Sequence, residues 1–400
     1  MSALARMDIS DSTVDRLDLD NNLNEPNVVT KYTLAAEIAN GVMKQIVPLV
    51  VVGARIIDIC ARGDELILAE TQKVHKKEER GIARPTCLCV NNIVRNSTPV
   101  DEEDAVVIKE GDMVKIDLGV HIDGYIAALA HTIIVTNSLS SPTTGRAADV
   151  VCAAHYAALA AANLLQPGRS AADITAAIAA IAAHYNCTPV HSTFSRQVKR
   201  FLLAGGNTIP NSLEPEFENA TESQDAGQEI EAGDVYVVDV VLSTGDGSVK
   251  DIHQQRPNVL VRDVNRFYNL KSASSRRTLS TVSENFSVFP FPTRALFAHG
   301  AAHRIGVQEC LAHALIVPEW MQIDPSASHV ARFSMTLLVR GASRGTLRIT
   351  ADDLPLPYVH SEIDIATCEY AAAASHRTST KGAKSTALPA PAATAEMDLS

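Results

Sequence analysis

The chain has 400 residues, of which 46% are hydrophobic and 20% are charged, and its formal net charge at pH 7 is −11. This balance is typical of a soluble globular protein with about two or three structural units. The longest apolar run, Ile46–Val52, is interrupted by Pro48 and is much shorter than the roughly 20 residues of a membrane-spanning helix, so membrane insertion is not expected. No secretory signal is predicted at the N-terminus. The acidic total excludes a surface that is basic throughout, but it is compatible with local basic patches.

The chain begins with an acidic segment, residues 1–27, which we predict to be a flexible arm. Apolar residues at helical spacing then predict an amphipathic helix over residues 31–50. Between this helix and the next, Cys87 and Cys89 alternate along a predicted strand. They have no second pair at metal-ligand spacing, so we predict buried thiols there and no cofactor.

Further along the chain, residues 147–165 form an Ala-rich helical segment that ends at Gln-Pro-Gly. Ser170, followed by Asp173, has the pattern of a capping box and predicts a second helix through Ala183. Short β-branched runs lie between the helical segments, and this alternation predicts an α+β body. Residues 366–400 are rich in Ala, Ser, Thr and Pro and are predicted to be a disordered tail.

One turn–strand pattern occurs twice. Gly111–Asp117 and Gly233–Asp239 both read Gly-Asp-x4-Asp, with the Gly-Asp pair as a turn and the remainder as a strand. Each strand carries one Asp among apolar residues, and a buried carboxylate is costly without a partner. The repeat is compatible with a pseudo-twofold fold that has paired carboxylates at its centre. It is equally compatible with two independent turn–strand units whose Asp side chains bond to nearby amides.

Several separated segments, in the same order, resemble the type 2 methionine aminopeptidase family and, within it, the proliferation-associated, ErbB-receptor-binding subgroup. The resemblance spans roughly residues 28–365. The segments that carry it are Val28–Asn40, Ala83–Asn92, Lys115–Thr132, His184–Pro189, Asp234–Gly247, Arg304–Pro318 and His329–Val339. The resemblance implies the pita-bread fold, with two pseudo-twofold αβ halves and an inserted subdomain at approximately residues 252–330.

Enzymes of that family hold two divalent metal ions with two Asp, one His and two Glu, and they have another His beside the site. Carried over position by position, the resemblance places these six roles, in that order, at Asp117, Ala128, Thr193, Asp239, Ser334 and Asn96. We call these six positions the vestigial site.

Only two of the six positions retain a carboxylate. A paired-metal centre needs several anionic oxygens to offset four positive charges, and it needs a proton donor or acceptor near the bound water. Asn96 cannot exchange a proton at neutral pH. The resemblance therefore predicts an aminopeptidase fold without catalytic or metal-binding residues. The alternative is a remodelled, active metal-dependent aminopeptidase, in which His191 supplies the missing ligand beside Asp117 and Asp239.

Other constellations predict no chemistry. His299 and His303 have the i, i+4 spacing of one helix face, but Gly300 replaces the Glu that a metalloprotease helix carries beside its first His. Ser243–Gly247 is too short for a phosphate-binding loop and is interpreted as a hairpin turn.

Three basic stretches interrupt the acidic trend, and they are either solvated loops or phosphate-binding surfaces. The third is predicted to lie on a helix, and the second has Phe267 and Tyr268 between its Arg residues, where they could stack on exposed bases. The candidate RNA-binding residues are Lys76, Lys77 and Arg80 in the first stretch, Arg256, Arg262, Arg266, Lys271, Arg276 and Arg277 in the second, and Lys199 and Arg200, with Arg196 nearby, in the third.

Members of the resembling subgroup bind RNA and associate with the large ribosomal subunit near the nascent-chain exit. They regulate translation or growth in the cytoplasm and are also found in the nucleus and nucleolus. The resemblance therefore implies rRNA, exit-tunnel proteins and the nascent peptide as partners. A third hypothesis is a module that binds peptides in the old substrate pocket without cleaving them.

Overall fold

The computed structural model describes residues 21–102, 106–136, 140–212, 228–253, 256–341, 344–351, 354 and 356–375. Helices and strands alternate along this part of the chain, as predicted. The α-helices in the described residues are α1 (Pro26–Ile46), α2 (Ile56–Thr71), α3 (Arg146–Leu164), α4 (Ala171–His184), α5 (Ala273–Asn285), α6 (Thr293–Ala298) and α7 (Ala302–Ala312).

The strands form one large sheet and two small ones. They are β1 (Arg80–Val90), β2 (Ile93–Arg95), β3 (Met113–Ile122), β4 (Tyr125–Ile134), β5 (Thr188–Pro189), β6 (Phe194–Gln197), β7 (Thr208–Pro210), β8 (Val235–Ser243), β9 (Lys250–Asp251), β10 (Val259–Arg262), β11 (Phe291–Pro292), β12 (Ile316–Glu319), β13 (Gln322–Ile323), β14 (Val330–Val339) and β15 (Thr346–Arg348). The large sheet has the order β1-β3-β4-β14-β8-β6-β7, with β15 beside β14 and β5 beside β8.

The two repeated turn–strand segments are confirmed as β3 and β8, on either side of the centre of the large sheet. The register connects them through one row of residues: Asp117 lies opposite Ala130, Ala130 opposite Ser334, and Ser334 opposite Asp239. Residues in register across a sheet point to the same face. The pseudo-twofold interpretation of the repeat is therefore confirmed, because both carboxylates belong to one row on one face.

Two helices cover each half of the sheet. Helix α1 begins with Pro26 at its first turn and ends at Ile46, before the short 3₁₀ turn Val47–Leu49. Its end comes earlier than the sequence predicted, because Pro48 cannot continue an α-helical hydrogen-bond ladder. Helix α4 begins as predicted, with Ser170 Oγ accepting a hydrogen bond from the Ala172 amide at 3.2 Å.

Helix α3 is unusually rich in Ala. It is long and apolar enough to cross a membrane by composition alone, but most of its residues are buried inside the folded domain. Its small side chains allow close packing against α4, β8 and β14, in one of the two main apolar clusters. The other cluster joins α1 and α2 to β3 and β4. The arrangement of α3 is therefore that of a core helix.

Residues 259–319 form a small layer beside the large sheet, which we call the insert. Strands β11, β10 and β12 make an antiparallel sheet, and α5–α7 pack with it around an apolar cluster of its own. In a second small sheet, β2-β13-β9, strand β2 of the body pairs with β13, which follows the insert in sequence, and β13 pairs with β9, which precedes it. The insert corresponds to the region in which the resemblance places an inserted subdomain.

Three local predictions were wrong. His299 follows the end of α6 whereas His303 is inside α7, so the two do not share a helix. Ser243–Gly247 is not a hairpin turn, because β9 pairs with β13 and not with β8. The predicted helix at residues 196–200 is an extended segment, with Arg196 on β6 and a tight turn at Lys199.

Parts of the predicted arm and of the predicted tail are packed against the folded domain. Asn21, inside the predicted arm, is buried, and its Oδ1 accepts hydrogen bonds from Tyr32 at 3.2 Å and from the Arg200 amide at 2.8 Å. Cys368 and Ala374, inside the predicted tail, are buried against α3. The remainder of both predicted segments, residues 1–20 and 376–400, lies outside the described residues.

A buried ion pair fixes the insert to the body. The Arg294 guanidinium at the start of α6 contacts the Asp64 carboxylate on α2, and Asp64 also accepts the Thr86 amide at 2.8 Å. Burial raises the pKa of Asp64 even though the neighbouring guanidinium lowers it. Removing one partner of a buried pair leaves the other charge without compensation.

We therefore expect Asp64→Ala to lower the free energy of unfolding by about 3–5 kcal/mol. Urea denaturation followed by the fluorescence of Trp320, the single Trp of the chain, measures this change at the junction of insert and body. The control is Asp58→Ala, which removes the exposed pair with Arg55 and should leave the unfolding midpoint unchanged. Equal midpoints for the two variants would show that the Asp64 pair does not stabilise the junction.

Candidate functional site

Arg332 occupies the centre of the vestigial site. Its Nη1 donates to Asp117 Oδ2 at 2.8 Å, its Nε to Asp239 Oδ1 at 2.7 Å and its Nη2 to Asp239 Oδ2 at 2.9 Å. The contact with Asp239 is side-on and bidentate, which is the strong geometry of a guanidinium–carboxylate pair. One organic cation thus joins the two carboxylates that the sequence repeat had singled out.

Strand alternation brings Arg332 to this position. Arg332 and Ser334 are two residues apart on β14, so their side chains point to the same face, where Ser334 lies between Ala130 and Asp239. Ala and Ser side chains are small, and they leave room above the sheet for a long guanidinium. Burial alone would lower the pKa of Arg332, but Asp117 and Asp239 raise it well above its usual value.

A second guanidinium approaches from β1. Arg84 Nε lies 3.8 Å from Asp117 Oδ2, and its Nη2 lies 3.4 Å from Glu319 Oε2. The same Nη2 donates to Asn96 Oδ1 at 3.3 Å. Burial would lower the pKa of Arg84, whereas Glu319 and Asp117 raise it above its ordinary value. Arg84 and Arg332 therefore both bring positive charge to the same oxygen of Asp117, Oδ2.

The remaining vestigial positions make ordinary structural contacts. Asn96 Nδ2 donates to the Trp320 carbonyl at 3.1 Å. Thr193 Oγ1 accepts from Asn211 Nδ2 at 2.7 Å, and this amide also donates to the Asp239 carbonyl at 3.0 Å. The Ala128 backbone amide donates to Thr336 Oγ1 at 2.9 Å.

The residues of the vestigial site do not fit a pair of divalent ions. Both carboxylates are hydrogen-bonded to Arg332, whose charge takes the place where the family would put cations. Among the described residues, no group of three or more His, Cys, Asp or Glu side chains could hold a metal ion. His191 therefore forms no such group with Asp117 and Asp239, and its ring lies against the turn at Gly247.

The second candidate site is the exposed face of residues 262–277, which we call the insert surface. Phe267 is 91% exposed. Tyr268 stacks on His313 with ring centroids 3.5 Å apart. A groove of about 430 Å³ beside Tyr268 is lined by Arg262 and Arg276. Exposed aromatic faces beside guanidinium groups are suited to unpaired bases and phosphates.

The basic residues predicted to bind RNA differ in how far they are exposed. Lys76, Lys77, Arg256, Arg266, Lys271, Arg276 and Arg277 are exposed, whereas Arg80, Lys199, Arg200 and Arg262 are half-buried. Arg276 is held by the Leu270 and Lys271 carbonyls, at 2.8 and 2.9 Å.

Some of these basic residues are occupied by contacts within the chain. Arg200 Nη2 is paired with Asp123 Oδ1 at 2.7 Å, and Arg80 donates to the carbonyls of His75 and Glu78. Arg256 contacts the Asp101 carboxylate. The sequence could not show that these residues, unlike those of the insert surface, are engaged within the chain. Most of their partners are distant along the chain, and the carbonyl partners of Arg80 depend on the path of a loop.

The large sheet with its two repeated halves and the row Asp117–Asp239 define a methionine aminopeptidase-like, pita-bread domain. The profile of metallopeptidase family M24 matches residues 30–311, and the chain belongs to this family. Within the family it belongs to the proliferation-associated, ErbB-binding-protein subgroup, as its motifs indicated. The following relatives show this.

Proliferation-associated protein A of Dictyostelium discoideum is 37% identical over 347 residues, which cover 86% of this chain and 87% of that protein. ERBB-3 binding protein 1 of Solanum tuberosum is 37% identical over 363 residues, which cover 89% of this chain and 90% of that protein. Among solved structures, a thermophilic Arx1 superimposes with a TM-score of 0.78 at 29% identity, covering 88% of this chain and 98% of that one. The predicted family and fold are therefore confirmed.

We expect Arg332→Met to lower the free energy of unfolding by about 3–5 kcal/mol, because it leaves the largely buried carboxylates of Asp117 and Asp239 without the cation to which both are hydrogen-bonded. The triple variant that adds Asp117→Asn and Asp239→Asn should recover part of this loss, since it removes the charges as well. Urea denaturation of the three proteins measures both effects.

The matched control is Arg340→Met, just beyond the end of β14, where the guanidinium donates to the Arg344 carbonyl at 3.0 Å. This variant should unfold close to the unmodified chain. If Arg332→Met were as stable as Arg340→Met, the guanidinium would not be the compensating cation of the site.

Proposed function

We propose that the chain is a non-catalytic aminopeptidase-like protein that binds RNA and docks on the large ribosomal subunit near the nascent-chain exit, where it regulates translation or growth. The observation that supports the non-catalytic part is the Arg332 guanidinium on both remaining carboxylates. The family resemblance supports the ribosomal part. The location that follows is the cytoplasm, with the nucleus and nucleolus as further sites.

The argument against peptidase chemistry is electrostatic. A paired-metal centre activates water through two divalent ions that bridging carboxylates hold close together. Here the available negative charge is two carboxylates, and a permanently charged guanidinium already bonds to both. A cation that arrives from solution would have to displace Arg332 and place its charge beside that of Arg84.

The non-catalytic proposal predicts that the protein does not retain divalent ions. After incubation with Mn²⁺, Co²⁺ or Zn²⁺ and gel filtration, elemental analysis should give far less than one ion per chain. A short peptide with N-terminal Met should keep that residue. Two retained ions per chain together with Met release would instead establish the alternative, an active metal-dependent aminopeptidase.

The argument for RNA rests on the insert surface. Its Arg and Lys side chains can neutralise phosphates and release counterions, which makes binding fall steeply with salt. Phe267 presents nearly its whole side chain to solvent, and an unpaired base can stack on such a face. The body of the chain is acidic, so attraction of RNA must be local to this surface.

Four residues of the insert surface give the sharpest test of this proposal. We expect the variant with Arg262, Arg266, Arg276 and Arg277 all changed to Glu to lose co-sedimentation with large ribosomal subunits at low salt, at least tenfold. Arg256 is left unchanged, because its contact with Asp101 ties it to the body. Binding of the unmodified chain should weaken progressively as the salt concentration is raised.

A charge-matched control uses four exposed basic residues that are scattered outside the insert surface. Changing Lys44, Arg62, Lys109 and Arg169 to Glu alters the net charge by the same amount. This control should still co-sediment with the subunits. Equal loss in both variants would mean that overall charge, and not the insert surface, governs binding.

A further inference from the structure

The groove beside Tyr268 has the size of a site for one small ligand. Its volume is about 430 Å³, within the range of about 300–1,000 Å³ that small-molecule sites have, and it is much too small for a double helix. Its lining comes from two segments, Arg262–Leu270 and, on helix α5, Arg276–Glu284. Arg276, Leu279 and Ser283 recur at intervals of three and four residues, which places them on one face of α5. We call this cavity the Tyr268 groove.

The Tyr268 ring is held in place by another ring. It stacks on His313, which follows the end of α7, with ring centroids 3.5 Å apart and ring planes 14° apart. His313 covers one face of the tyrosine ring, and Tyr268 is nevertheless 37% exposed and lines the groove. A flat ring that enters the groove therefore extends an existing stack, at little cost in side-chain ordering.

Two guanidinium groups line the same groove. Arg262 is half-buried at the end of β10, and its side chain makes no hydrogen bond or ion pair with the rest of the described chain. All five of its N–H donors are therefore available to a ligand. Arg276 is fixed beside the groove, because its Nη1 donates to the carbonyls of Leu270 and Lys271 at 2.8 and 2.9 Å. Guanidinium groups of this kind bind phosphate oxygens through charge-assisted hydrogen bonds.

One carboxylate also lines the groove, that of Glu284. It is exposed, and its Oε1 accepts a hydrogen bond from the Ser280 hydroxyl at 2.8 Å. Glu284 comes eight residues after Arg276 on α5, which corresponds to about 12 Å along the helix axis. Its repulsion of a phosphate bound at Arg276 is therefore weakened by distance and by salt. Against this one carboxylate, the residues that line the groove include the two guanidinium groups.

We propose that the Tyr268 groove holds one unpaired nucleotide of a single-stranded RNA segment, with its base stacked on Tyr268 and its phosphate bound by Arg262 and Arg276. This inference rests on the proposed function and narrows it, because it makes the insert surface a reader of unpaired RNA. A base inside a duplex is already stacked on both faces and cannot offer one of them to Tyr268.

The surface around the groove favours a nucleic-acid strand over a single phosphorylated side chain. Arg266, Lys271 and Arg277 are exposed in the same part of the chain, and Phe267, next to Tyr268, is 91% exposed. A strand carries a phosphate at every nucleotide and further bases on each side, so it can use these groups together with the groove. A phosphotyrosine has one ring and one phosphate, and the groove alone would satisfy both.

The test uses a fluorescein-labelled RNA dodecamer without self-pairing, alone and annealed to its complement, with binding measured by fluorescence anisotropy. We expect the single strand to bind at least tenfold more tightly than the duplex. The sign of this difference is informative, because the duplex carries two phosphates for each one of the strand, and attraction by charge alone would favour it.

Variants of the groove separate stacking from charge. Tyr268→Ala should weaken binding of the single strand about tenfold, which corresponds to about 1.4 kcal/mol. Tyr268→Phe keeps the ring and should bind like the unmodified chain. Arg262→Gln should weaken binding and lower the slope of log K against log salt by about 0.7. The control is Tyr358→Ala, an exposed tyrosine outside the insert, which should leave binding unchanged.

Thermal unfolding of each variant shows whether it is folded. Duplex binding as tight as that of the single strand, or unchanged single-strand binding by folded Tyr268→Ala, would overturn this inference and leave the insert surface as an RNA-binding site. A phosphotyrosine peptide that binds through Tyr268 while the RNA strand does not would also overturn it. Loss of ribosome co-sedimentation in the charge-reversed variant tests the proposed function separately, and an unmodified chain that binds neither RNA would contradict both.

Discussion

The contact of Arg332 with Asp117 and Asp239 is the constraint on which the rest of the site depends. Two carboxylates on one face of a largely apolar sheet cannot remain without positive charge. A fold of this kind can supply that charge as metal ions or as a side chain. A guanidinium bonds both carboxylates with three N–H donors and remains charged at any physiological pH. The charge therefore belongs to the chain, and holding the two halves of the sheet together does not depend on a metal.

The sequence predicted the two carboxylates and their strands, but not the cation between them. The family resemblance assigns roles only to the metal-ligand positions and the neighbouring His, and Arg332 is at none of those positions. Strand alternation could have predicted the position of Arg332, because a residue two positions before Ser334 on the same strand points to the same face. Arg84 was not among the candidate residues, because its carboxylate partners are on β3 and β12, distant along the chain.

The wrong local predictions have a common physical cause. The spacing of His299 and His303 fits one helix, but α6 ends at Ala298, and a turn at Gly300, whose φ of 134° favours Gly, separates the two residues. The turn after Ser243 was interpreted as a hairpin because its composition fits one. The segment that follows pairs instead with β13, about 70 residues further along the chain. Propensity is local, whereas the partners that decide between a helix, a hairpin and a loop are remote.

Remote partners also distinguish the basic residues that stabilise the fold from those that can contact other molecules. Asp64 engages Arg294, Asp101 engages Arg256 and Arg304, and Asp123 engages Arg200. These acidic side chains therefore hold Arg256 of the second basic stretch and Arg200 of the third in contacts within the chain. Among the described residues, the insert surface is where exposed basic side chains lie together with an exposed aromatic ring, that of Phe267. That surface is open enough for a polyanion backbone. An acidic chain can thus present a local positive site, and the charge of that site rather than the total charge sets which ligand it admits.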